Sequence, residues 1–131
     1  MSYFWVAAGS AMGGLARYWC SGLIAYRVGE TFPWGTLAVN AIGSLAIGMV
    51  AALTEPDGRF LIGSTVRQLV MVGILGGFTT FSAFSLQTLA LLRDGEILRA
   101  VLNVLLSVGA CLLAVWLGYV LVSNLNGLKG S

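Results

Sequence analysis

The sequence predicts an all-α membrane protein: one domain over residues 1–131, with four transmembrane helices and the third helix broken at mid-membrane. Three observations predict it. Of 131 residues, 58% are hydrophobic and only 9% are charged, with a mean hydropathy of +0.92, whereas soluble domains carry roughly 25% charged residues. Four apolar stretches each reach the ~20 helical residues that span a bilayer core of ~30 Å. The third of them is interrupted by a Gly-Gly-Phe-Thr-Thr run at 76–80. The formal net charge of +2 and the lack of a basic cluster exclude a nucleic-acid partner.

The first span is expected over about 3–26. The opening residues lack a basic flank and the apolar run continues past any cleavage point, so this is a retained helix and not a leader. The second is expected over about 34–54, the third over 66–92 and the fourth over 97–123. Polar or turn-forming links separate them at 27–33, 55–64 and 93–96. Cys20 and Cys111 each sit inside an apolar stretch, where they read as small buried hydrophobes; two thiols with no histidine make no four-ligand metal site.

Basic residues in short loops set orientation. Arg59, Arg67 and Lys129 fall on one side, and Arg27, Arg93 and Arg99 on the other. Three against three gives the chain no preferred direction. Either the balance is chance in a small sample, or copies insert both ways and pair antiparallel as a dual-topology homodimer.

Polar groups inside hydrocarbon need partners, so their positions carry information. In the second span Thr36, Asn40, Ser44 and Gly48 share one face at i, i+4 spacing, and in the fourth Asn103, Ser107 and Cys111 do the same. Small and weakly polar residues serve helix packing, the favoured reading for Ser44, Gly48 and the Gly9–Gly13 pair. For Asn40 and Asn103 a second reading stands beside packing, because a buried amide offers two strong N–H donors.

In the third span, adjacent glycines lack helix propensity and the threonine hydroxyls compete for backbone bonds. Either a glycine-faced packing helix results, or a break that exposes backbone groups and marks an ion site. Phe81 and Phe84 follow on one helix face, interleaved with Ser82 and Ser85. They are lipid-facing filler, or rings whose positive edges meet a small anion without trapping it. Arg17 lies deep in the first span with no acid in any span to neutralise it. It either snorkels to the interface or adds positive potential near an anion entrance.

Trp34-Gly-Thr-Leu-Ala-Val-Asn40, Gly76-Gly-Phe-Thr-Thr-Phe-Ser-Ala-Phe-Ser85 and the Gly-Gly-Leu-Ala-Arg17 context together resemble the Fluc (CrcB-type) fluoride channels over nearly the whole chain. The resemblance implies an antiparallel dual-topology homodimer with two pores that exports fluoride passively across the inner (cytoplasmic) membrane of a microbe. It implies that Asn40, Phe81, Phe84 and Ser107 line the anion pathway, with Asn103, Ser82, Ser85 and Arg17 along or near it. It also implies that the backbone carbonyls of Gly76 and Thr79 hold a structural sodium ion at the dimer interface. Asn103, Cys111, Ala83 and Gln87 depart from residues common in that family and put details of the polar track in doubt. The residues themselves specify a donor-lined anion path; fluoride comes from the resemblance.

Two other readings compete. A small dual-topology multidrug-type exporter coupled to protons needs a carboxylate in the membrane, yet Glu30, Glu55, Asp57, Asp94 and Glu96 all fall in expected loops. A non-transporting accessory membrane subunit explains the small-residue faces but not the clustered Asn and Phe residues. An enzyme is excluded by the lack of histidine, of an intramembrane carboxylate and of a nucleophile with an evident base.

Overall fold

The computed structural model describes residues 2–54 and 63–129, and these are helical apart from short connections. Helix α1 spans Ser2–Val28 and α2 spans Trp34–Leu53. The segment α3 (64–78) is α-helical over Ser64–Arg67, π-helical over Gln68–Leu75 and α-helical again over Gly76–Phe78. Helix α4 spans Phe81–Arg93 and α5 spans Ile97–Lys129. Gly29 and Gly95 have φ of 96° and 79° and carry the turns that end α1 and α4, a conformation that a side chain disfavours. Most of the expected 55–64 link, with Arg59, lies outside the described residues.

Three stretches among the described residues are long and apolar enough to cross a membrane: Trp34–Leu53, Thr65–Arg93 and Ile97–Leu125. Helix α1 has the length, with 27 residues, but its Gly, Ser and Arg residues dilute its apolarity. Large apolar side chains face outward along the molecule, among them Leu105, Leu112 and Trp116. Among the described residues, Val39 and Asn103 are the largest fully buried side chains. Such an inside-out distribution makes this an integral membrane protein, since lipid is the solvent that accepts that surface.

Packing is by backbone approach at small residues. Helices α1 and α3 pack together, and α2 packs along α5. A Cβ on Gly13 would overlap the Ile74 carbonyl oxygen, and one on Gly9 would sit 2.6 Å from the Leu69 oxygen. Gly48 and Gly118 make a reciprocal contact: a Cβ on either would overlap a backbone oxygen of the facing helix, that of Val115 or of Leu45. The Gly9–Gly13 pair and Gly48 are therefore packing residues, as their spacing suggests. Arg67 Nε donates to Thr54 Oγ1 at 2.9 Å, joining the end of α2 to the start of α3.

Candidate functional site: a groove beside the Thr79–Thr80 kink

Between α3 and α4 the backbone leaves the helical region for two residues. Thr79 has φ −91°, ψ 159° and Thr80 has φ −152°, ψ 119°. Gly76 and Gly77 remain helical, so the β-branched threonines, not the glycines, carry the extended backbone. Threonine is at home there. The close approach of Thr79 is accommodated by Gly43, where a Cβ would overlap the threonine methyl.

Three side chains bond the exposed backbone of this kink. Asn40 uses both ends of its amide on one residue: Nδ2 donates to the Thr80 carbonyl at 2.9 Å, and Oδ1 accepts from the Thr80 N–H at 2.7 Å. The Thr80 hydroxyl caps α4 by accepting from the Ala83 N–H at 3.1 Å. Arg17, half-buried, donates from Nε to the Gly77 carbonyl at 3.3 Å. In an uninterrupted helix the Thr80 N–H would serve the Gly76 carbonyl and the Ala83 N–H would serve that of Thr79. Both donors are diverted. The carbonyls of Gly76 and Thr79 thereby lose their helical partners, and a hard cation that favours oxygen ligands suits such a donor pair.

A partly open groove of about 370 Å³ runs along the kink. Asn40, Ser44, Gly76, Thr79, Thr80, Phe81, Phe84, Ser107 and Cys111 line it. The Phe81 and Phe84 rings lie 5.2 Å apart, tilted by 49°. Phe84 is 8% exposed and Phe81 is 76% exposed. Asn40 retains one amide N–H beyond its bond to Thr80, and the lining is otherwise largely apolar or hydroxyl-bearing.

The structure thus brings Asn40, Phe81, Phe84, Ser107, Gly76 and Thr79 to one wall. Ser82 and Ser85 are not brought there. Ser85 Oγ donates back to the Phe81 carbonyl at 3.0 Å, and Ser82 Oγ lies 3.3 Å from the Thr80 hydroxyl on an exposed surface. Arg17 stands behind the kink and not in the groove lining. Asn103 is 1% exposed and joins Ser107 and Thr88 behind the wall. Thr88 was not legible as a site residue; its i+4 spacing from Phe84 was the available signal.

An all-helical membrane protein with a kinked, side-chain-bonded segment facing a narrow groove is the architecture of a protein that handles small solutes within the bilayer. The chain belongs to the CrcB-like protein family, described as "CrcB-like protein, Camphor Resistance (CrcB)", which it matches over residues 4–119. It is 58% identical to a "Fluoride-specific ion channel FluC" of Opitutus terrae over 129 residues, 98% of each chain. It is 53% identical to the protein of the same name from Methylocella silvestris over the full length of both. The likeness to that of Paramagnetospirillum magneticum is 57% over 126 residues, 96% of this chain and 98% of the relative.

Proposed function

We propose that this chain is a fluoride-selective channel that lets fluoride leave the cytoplasm passively across the inner membrane. The observation that carries the reading is full-length identity of 53–58% to proteins named fluoride-specific ion channels. The groove supports it. Fluoride holds water tightly, and a pore must replace that shell with modest contacts that permit both entry and departure. The spare Asn40 N–H and the positive ring edges of Phe81 and Phe84 are contacts of that kind. No acid of the described residues lines the groove, which argues against the proton-coupled exporter. Purified protein in liposomes is expected to release fluoride on addition of an ionophore and to retain chloride. Equal release of both ions, or of neither, rejects the reading.

The working unit proposed is an antiparallel dual-topology homodimer in which α1, α2, the α3–α4 pair and α5 form four spans and the kink lies at mid-membrane. Balanced loop charges support this. So does Phe81, which lines the groove yet is largely exposed on a single chain and calls for a covering surface. The Gly76 and Thr79 carbonyls would hold a structural sodium ion at the dimer interface, where it would link the two kinks electrostatically. C-terminal tags are expected on both sides of the membrane. The dimer is expected to loosen when sodium is replaced by a bulky organic cation. Tags on one side only, or a dimer indifferent to sodium, would reject the corresponding part.

A further inference from the structure

Behind the groove wall, four groups form a hydrogen-bonded thread whose direction is set by chemistry. Thr88 Oγ1 donates to the Phe84 carbonyl at 2.8 Å, and a carbonyl only accepts. With its one proton committed, Thr88 can only accept from Asn103, whose Nδ2 lies 2.9 Å away. The amide oxygen of Asn103 must then face Ser107, which donates to it at 3.2 Å. Rotating the amide by half a turn would cost the Thr88–Phe84 bond. Most of the thread is enclosed: Asn103 is 1% exposed, Ser107 6% and Phe84 8%, while Thr88 is half-buried.

Ser107 is the one member of this thread, apart from Phe84, that also lines the groove. Its proton points backward into the protein, so the face it offers the groove is an oxygen lone pair. An anion at that point meets no donor. We propose that Asn103 is a positioning residue that withholds the Ser107 proton from the anion and so keeps this stretch of the path weakly binding. The proposal rests on the channel reading above and adds a determinant of affinity to it. A freed hydroxyl would donate to the anion, and a bond to a charged acceptor is among the stronger hydrogen bonds. The ion would bind more tightly there and leave more slowly.

The test is fluoride flux against fluoride concentration in liposomes, with the wild-type protein measured first. Absence of wild-type fluoride flux would overturn the channel reading itself, independently of Asn103. Given wild-type flux, Asn103→Val removes the acceptor, and the half-saturating fluoride concentration is expected to fall roughly tenfold, equivalent to about 1.4 kcal/mol, with a lower maximal flux. Adding Ser107→Ala to that variant is expected to return half-saturation toward the wild-type value. Thr88→Val supplies an independent route should Asn103→Val not fold. It removes the group that fixes the amide, so both orientations are populated, the serine proton is released in the flipped one, and half-saturation shifts the same way by a smaller amount. A structural role alone would lower maximal flux without moving half-saturation. Unchanged half-saturation in the folded variants, or a shift that Ser107→Ala does not reverse, overturns the proposal.

Discussion

Phe81→Ile is expected to cut fluoride flux at least roughly tenfold, the effect of losing about 1.4 kcal/mol at the barrier, while expression stays near normal. Isoleucine keeps the apolar bulk but has no ring quadrupole. The two phenylalanines differ sharply in burial, 76% exposed for Phe81 against 8% for Phe84, and that difference decides between mechanisms. Were the rings only packing, damage would follow burial. Phe84→Ile would then cost about 1–2 kcal/mol of stability, and Phe81→Ile, whose ring is exposed on a single chain and covered only in the dimer proposed above, would lower dimer content. With both rings in the anion path, the exposed one matters as much as the buried one, and the loss appears in flux. Flux and dimer content measured on the same preparations separate the cases. A folded double variant that conducts like the wild type would remove the rings from the mechanism.

Asn40 carries the second large expectation. Asn40→Leu leaves the N–H and the carbonyl of Thr80 without their partners at 2.7 and 2.9 Å. An unmet group costs about 1–3 kcal/mol when fully buried, and these two are part-buried, so each costs toward the lower end of that range. Loss of folded dimer is the expected outcome, beyond a loss of flux. Asn40→Asp retains an acceptor for the Thr80 N–H but sets a second carboxylate oxygen against the Thr80 carbonyl, and it places a negative charge in the groove. Fluoride flux at neutral pH is expected to fall by roughly a hundredfold or more, about 2.7 kcal/mol, with dimer yield less affected than in Asn40→Leu. Near-normal thermal stability of a folded Asn40→Leu dimer would show that the kink does not depend on this amide.

Much of the helical plan was legible because hydrophobic length and turn chemistry are local properties. The stretch expected over 34–54 is α2 at Trp34–Leu53, and the link at 93–96 is the turn after α4. The Gly-Gly-Phe-Thr-Thr run marked where the backbone departs from helix but not which residues do so. Both the glycine pair and the threonine hydroxyls weaken a helix, and of the two it is Thr79 and Thr80 that leave it while Gly76 and Gly77 stay helical. The outcome is decided by Asn40, 40 residues away, and by the space at Gly43. The π-helical turns over Gln68–Leu75 left no periodic signature in an apolar run. Arg17 illustrates the same limit. Its depth was evident, but its bond to the Gly77 carbonyl depends on how α1 lies against α3. Thr88 is a lone hydroxyl in an apolar helix until α5 brings Asn103 beside it.

The bonding of the kink also has an order in time. Synthesis runs from the N-terminus, and upstream segments settle before downstream ones. Arg17 and Asn40, which serve the carbonyl of Gly77 and both backbone groups of Thr80, precede the residues they serve. The remaining partner is the hydroxyl of Thr80 itself, which meets Ala83 only three residues later. When the costliest stretch of backbone reaches the lipid, its partners from α1 and α2 are therefore already made, and biogenesis need not wait for α5. A circular permutation opened between α2 and α3, which places α1 and α2 together behind α5, would keep the direction of every span and still expose unpaired polar backbone at the kink during insertion.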